Sequence, residues 1–375
     1  MNTNKERDIV KYFAYNIQKQ LKLMMAFLFM LSAVACSNDE AYKSYEPGNA
    51  TVRLVFLPPT GEQSMRSIST DADEKKIRDL RVFIFDNTGV CIGYKYILAN
   101  SDGNSAIAVE IPTHEATNCT LYAMANVAET ETDFQTLYGG KITKSEIDNL
   151  TMTIATAADL GNGNYLPMFG RTVSTINITR SATAQDIGKI EMEHVCSKVN
   201  LVVKPDNTKN IKVTGWQLHN VPKGAYITDT NTGVWSDGFL NFDAVTGQNY
   251  TSETTVATYY LYQNYAGKNA ASNSDENRNY QNAPTTASYI TVNAETLAWQ
   301  SVFRIYLGGK KLTEATDDYT DFNVYRNHNY TVTVEINGSN STDVRITHTD
   351  ILPVTFTATV TAMTPVSDTT TLKFK

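Results

Sequence analysis

Cys36, Arg66 and Ser67 are the residues whose type and setting point to chemistry. Cys36 stands directly after Ala33-Val-Ala and just downstream of an apolar run, Leu23 to Leu31. Small residues before a cysteine at that place form the lipobox pattern, in which the thiol is acylated by a lipid and becomes the new N-terminus. Ala33 replaces the Leu usual in that pattern. Arg66 lies in Ser64-Met-Arg-Ser67, within a polar loop from Pro58 to Arg78. Polar loop tips are where chains are nicked, and cutting here would hydrolyse the Arg66–Ser67 amide. From the residues alone, Arg66 reads better as an ordinary solvated loop arginine. Its rivals are weaker, because Arg78 abuts a strand and Arg53 lies inside one.

Other chemistry is not signalled. His114, His194, His219, His328 and His348 are scattered, with no HExxH, and there is no GxSxG, P-loop or dinucleotide fingerprint. His328 reads as a turn or core-edge histidine. Cys91, Cys119 and Cys196 match no zinc spacing and are odd in number, so they read as small buried apolar residues in strands. Asp71-Ala-Asp-Glu74 lacks the glycine and distal glutamate of a calcium loop and reads as a solvated charge run. No enzyme, metal or cofactor is expected. The 21 tyrosines suit packing in a β protein.

The elements that must position Cys36 and Arg66 begin with an export signal. Residues 1–35 carry Lys5, Arg7, Lys11, Lys19 and Lys22 before the apolar run, which is too short to stay as a bilayer-spanning helix. Losing residues 1–35, with five basic and two acidic side chains, takes the formal charge from -7 to -10. With no basic stripe, nucleic acid is not an expected partner. Residues 36–49 read as a tether. Thr51 to Leu57 is then a strand with Val52, Leu54 and Phe56 on one face, and Asp79 to Phe85 is another with Leu80, Val82 and Ile84. Cleavage at Arg66 would detach the first strand, leaving a core in need of a replacement.

The chain continues in the same manner. Strands are expected at 90–98, 106–111, 119–127, 173–179 and 189–192, with short helices at Glu131 to Tyr138 and from Thr143, where Glu146 completes a capping box. Residues 50–187 thus read as one mostly-β domain, and 188–375 as a second. The apolar stretch Gly188 to Val203 is the passage between them. In the second half, strands are expected at 211–218, 225–228, 255–262, 288–292, 301–306 and 330–336, with 264–287 as a long exposed loop. Val354, Phe356, Ala358, Val360 and Ala362 alternate with threonines in the cleanest period-two pattern of the chain, and a short run, 371–375, closes it. By pattern alone, 354–362 serves equally as an internal strand or as a donor to a neighbour.

Taken in order, these segments resemble the type V fimbrillins of Bacteroidia. The resemblance rests on Cys36, the Arg66 loop, His194-Val-Cys-Ser-Lys-Val199, Trp216-Gln-Leu-His-Asn-Val-Pro222, Tyr259-Tyr-Leu-Tyr-Gln-Asn264 and Val324-Tyr-Arg-Asn-His-Asn-Tyr-Thr-Val332. The acidic Ser37-Asn-Asp-Glu40 also resembles the surface-export tag of Bacteroidia lipoproteins. The resemblance implies two tandem β-sandwich domains (transthyretin-like, Greek-key) with a few short helices, in a lipoprotein precursor bound for the outer membrane through lipid on Cys36. It implies that an Arg-specific protease cuts between Arg66 and Ser67 and releases the strand carrying Val52, Leu54 and Phe56. A C-terminal donor strand from another subunit, here Val354, Phe356, Ala358, Val360 and Ala362 within 351–375, then fills the groove of a cell-surface fimbrium. Implied partners are other fimbrial subunits, the protease and a host or bacterial adhesion receptor. An anchor, tip or accessory subunit that keeps its first strand is the nearest alternative. A glycan-binding surface lipoprotein with a row of exposed aromatic rings is the alternative from another class.

Overall fold

The alternation at residues 50–57 becomes a strand with one dry face. The structure is a computed structural model. It describes residues 48–57, 74, 76–98, 107–127, 131–138, 142–160, 166–230, 233, 235–270, 273, 278–308 and 318–339, and the backbone of 355–362 and 370–374. The N-terminal half holds β1 (Ala50–Leu57), β2 (Asp79–Phe85), β3 (Cys91–Leu98), β4 (Ile107–Thr113) and β5 (Ala116–Ala125). Helices α1 (Glu131–Tyr138) and α2 (Lys144–Asp148) follow, then β6 (Thr151–Thr153), β7 (Met168–Arg171), β8 (Ile176–Ile178), β9 (Gln185–Glu191) and β10 (Glu193–His194). One sheet has the order β4-β1-β9, and the other β10-β7-β5-β2-β3 with β8 on β5. Their facing sides bury Val52, Leu54 and Phe56 against Leu80, Val82, Ile84, Leu121 and Ala123. This is sheet-on-sheet packing, with each strand giving alternate side chains to the core.

The C-terminal half repeats the plan. It contains β11 (Cys196–Pro205), β12 (Lys212–His219), β13 (Val221–Pro222), β14 (Gly224–Tyr226), β15 (Phe239–Leu240), β16 (Thr254–Tyr262), β17 (Tyr289–Glu295), β18 (Gln300–Tyr306), β19 (His328–Ile336), β20 (Thr355–Ala362) and β21 (Thr370–Phe374). The sheet β16-β11-β19-β20-β21 faces β12-β17-β18 over Val199, Leu201, Trp216, Leu218, Val292, Phe303 and Val332. Each sandwich sets its first strand between one antiparallel and one parallel neighbour: β1 between β4 and β9, and β11 between β16 and β19. No repeat in sequence announces this, because what recurs is strand order and burial, not side-chain identity.

The boundary expected at 187/188 falls inside β9, whose pairing with β1 runs to Glu191, and β10 still pairs with β7. Pairing passes to the C-terminal sheets at Cys196. The halves also share a core in which Phe83, Phe85, Tyr122 and Ile147 meet Cys196, Ala225, Ile227, Tyr260 and Tyr262. β14 pairs with β6 across the joint, and Arg326 Nη2 donates to the carbonyls of Tyr226 (3.1 Å) and Ile227 (2.9 Å).

Several local expectations are met and two are not. Helix α1 spans the expected residues, and at α2 the Thr143 backbone N–H donates to Glu146 Oε2 at 2.7 Å while Glu146 N donates to Thr143 Oγ1 at 3.2 Å. The strand expected from Val173 shortens to β8, and Val173 is wholly exposed. Residues 264–287 are not simply exposed, since Asn264 and Arg278 are buried. The Arg278 guanidinium donates to the carbonyls of Tyr306, Leu307, Tyr319 and Asp321 and lies 4.4 Å from the centroid of the Phe322 ring. Side-chain-to-backbone bonds and two isolated bridges, Asn264 to Val324 and Lys268 to Asp321, hold this segment in place of a continuous ladder, so hydrophobic period carries no trace of it.

Candidate functional site

β1 is the middle strand of its sheet. Val52, Leu54 and Phe56 are wholly buried, and Ala50, on the same face, is nearly so. On one side, Val52, Leu54 and Phe56 lie opposite Ile111, Val109 and Ile107 of β4. On the other, they lie opposite Gln185, Gly188 and Ile190 of β9, and the Met192 N–H donates to the Leu57 carbonyl at 2.9 Å. The outward face carries Arg53, which pairs with Glu110 at 2.5 Å in solvent and so contributes little. Taking β1 away would uncover Val, Leu and Phe side chains each worth roughly 1.5–3 kcal/mol of burial. It would also leave two rows of backbone groups without partners. That arrangement can accept one strand, antiparallel to β4 and parallel to β9, with apolar side chains at alternate positions.

Among the other expected site residues, Cys36, Arg66, Ser67 and Val354 lie outside the described residues. Phe356, Ala358, Val360 and Ala362 are in β20, whose backbone pairs antiparallel with β19 of the same chain, opposite Val334, Val332, Tyr330 and His328. β21 pairs in turn with β20. Among the described residues, β1 does not pair with these C-terminal strands; its partners are β4 and β9.

Glu74 departs from expectation. It is not a solvated charge: its carboxylate Oε1 accepts from Lys198 Nζ at 2.6 Å and from the Tyr260 hydroxyl, and its carbonyl lies 2.7 Å from His194 Nε2. The signal available in sequence was Lys198 itself, a charge set in the apolar stretch 188–203, because a buried cation demands a partner. A second buried ion group joins β2 to α1. Arg81 is fully buried, 3.5 Å from Asp79 and 3.3 Å from Glu131, and the Tyr94 hydroxyl donates to Glu131 at 2.8 Å. Burial raises the pKa values of the Asp79 carboxyl and the Tyr94 hydroxyl. Both groups bind the fold together and neither opens on a cleft with a nucleophile. The Cys196 thiol is pushed up to about 12 by burial, which makes it inert. Burial lowers the His194 pKa, and its ring is spent on the Glu74 carbonyl. Among the described residues, no group of three or more His, Cys, Asp or Glu could hold a metal ion.

Comparison with known proteins agrees with this geometry. Residues 50–214 match the family described as major fimbrial subunit protein (FimA), and residues 259–334 match a domain of unknown function, DUF4906. No curated protein sequence matches the chain. Among solved structures, the C-terminally truncated tip fimbrial protein Mfa3 from Porphyromonas gingivalis aligns at 13% identity and TM-score 0.55, covering 82% of this chain and 99% of that one. A putative cell adhesion protein from Parabacteroides distasonis aligns at 14% and 0.57, covering 86% and 99%. A fimbrilin (FimA) from Porphyromonas gingivalis aligns at 16% and 0.54, covering 78% and 91%. These likenesses establish the fold. Over residues 50–214 the chain thus matches the major fimbrial subunit family.

Proposed function

We propose that this chain is a fimbrial subunit exported as an outer-membrane lipoprotein precursor through Cys36, cut between Arg66 and Ser67, and assembled by strand exchange into a cell-surface fimbrium. The observation that carries this reading is the position of β1. It is a central strand with its inner face fully buried, yet it is joined to the rest of the fold at its C-terminal end by the loop that contains Arg66. Between the export signal and β1 lie Cys36 and the tether. One hydrolysis therefore separates a lipid anchor and a structural strand together. The gap is filled by a second copy or a related subunit through Val354, Phe356, Ala358, Val360 and Ala362, whose spacing matches the alternation of β1. Such a contact is head-to-tail and builds an open filament. The reading needs no catalytic group in this chain; the protease is a separate partner, and the adhesion target is left to the exposed faces.

The pairing of β20 with β19 of its own chain supports a second reading, an anchor, tip or accessory subunit that retains its own strands. A glycan-binding lipoprotein has less support, because among the described residues Tyr280 is the one exposed aromatic side chain. Mass spectrometry of surface-assembled protein separates the readings. A new N-terminus at Ser67 supports the polymerising subunit. A retained, lipidated Cys36 removes it in favour of the anchor.

A further inference from the structure

The root of the Arg66 loop is fastened to both halves of the molecule. Glu74 is held by Lys198 of β11, by the Tyr260 hydroxyl of β16 and, through its carbonyl, by His194 of β10. Lys198 and His194 are 4% and 2% exposed. Two residues on, the Lys76 carbonyl accepts from Asn126 Nδ2 at 2.8 Å, Ile77 is fully buried, and the Arg78 N–H donates to Asn126 Oδ1 at 2.8 Å. Asn126 is itself fixed: its second Nδ2 bond goes to the Leu166 carbonyl at 2.8 Å, its backbone N–H donates to the Asp79 carbonyl at 3.2 Å, and its φ is +58°. Glu74 and residues 76–78 are thus pinned by three strands and the turn after β5.

We infer that Glu74 is a specificity-determining residue for processing: its contacts with Lys198 and Tyr260 close the lower end of the loop to proteases. They make Arg66 the cut site in place of Arg78. This rests on the cleavage reading given above. A protease must draw several residues on each side of the scissile bond into an extended cleft, so a cut needs local freedom, not only the right residue type. The side chain of Arg78 is 46% exposed and would be recognised by an Arg-specific enzyme. Its backbone cannot be drawn out unless Glu74 abandons the buried ammonium of Lys198 and Asn126 releases both of its bonds. The same contacts keep the stub that begins at Ser67 rooted at the joint between the halves once β1 has gone.

The test exposes full-length precursor in detergent to a low level of an Arg-specific endopeptidase and follows new N-termini by mass spectrometry. In the wild type, a terminus at Ser67 should accumulate and one at Asp79 should not. Glu74→Gln removes the charge that Lys198 requires. The double variant Glu74→Gln with Lys198→Met removes both charges and keeps the fold readable if the single variant unfolds. In either, the Asp79 terminus should form at least tenfold faster, with no new termini after Arg53 or Arg171. An unchanged rate at Asp79 would overturn the inference, as would wild-type cutting at Asp79 as fast as at Ser67. New cuts throughout the chain in both variants would mark general loosening and overturn it too. If the wild type yields no Ser67 terminus, the cleavage reading fails, while the Asp79 comparison still decides the role of Glu74.

Discussion

Leu54 of β1 lies opposite Gly188 of β9 at the point where their parallel register slips. Gly188 has φ +94°, and its N–H donates to Asp186 Oδ1 at 2.8 Å. The slip is a bulge: β1 keeps an unbroken antiparallel ladder with β4 and an interrupted parallel one with β9. β1 is therefore held unequally on its two sides, and under the proposed strand exchange an incoming strand must meet the same bulge.

Gly188→Ala tests the bulge. A Cβ at Gly188 meets nothing within 4 Å, so the cost is conformational and not steric. A left-handed backbone costs a residue with a Cβ about 1–2 kcal/mol. Denaturant unfolding of the precursor should show a loss of that size, with an unchanged slope.

Leu54→Ala tests the dry face of β1. Removing a fully buried leucine from a packed core should destabilise the precursor by roughly 2–5 kcal/mol. After cleavage at Arg66, followed by loss of β1, the variant and the wild type are the same chain and should assemble alike. A difference in the cut forms would show that β1 is not released.

The stability of the precursor should fall as pH drops below about 6.5, the ordinary histidine value. Burial depresses the pKa values of His194, His219 and His328. With folded values below the unfolded one, the unfolded chain takes up protons first. Their contribution is present above pH 6.5 and is lost as pH falls towards the folded values. Asp79 and Glu193, with pKa values raised by burial, act with the opposite sign. Comparing His194→Gln with the wild type isolates one histidine: the variant should lose part of the slope between pH 7 and 5 in urea titrations.

Deleting residues 351–375 should leave both sandwiches folded, because β11, β12, β17, β18 and β19 already bury Val199, Leu201, Trp216, Leu218, Val292, Phe303 and Val332 against one another. Circular dichroism should report a β fold, and electron microscopy should find no fibre extension. Polymers of normal length would remove 354–362 as the donor.

Thr143→Ala removes one half of the capping box at α2 and should cost about 1 kcal/mol. A thermal melt of the precursor should register it as a drop of a few degrees.

Local pattern alone determined the strands with one dry face and the capped helix at 144–148. Each is written in a short window: alternation at Val52, Leu54 and Phe56, and a Thr and Glu three apart. The resemblance to fimbrillins followed from the order of such windows, and the family match at 50–214 accords with it. Tertiary structure alone decided the rest. That β1 is a middle strand, and not an edge, depends on β4 and β9, which return to it from residues more than 50 and 130 positions away. That Glu74 is pinned depends on Lys198 and Tyr260, 124 and 186 positions downstream. That Arg278 is buried depends on carbonyl groups, which every residue carries and no sequence pattern marks. Periodicity reports which face of a segment is dry; it holds no information on which distant segment keeps it so.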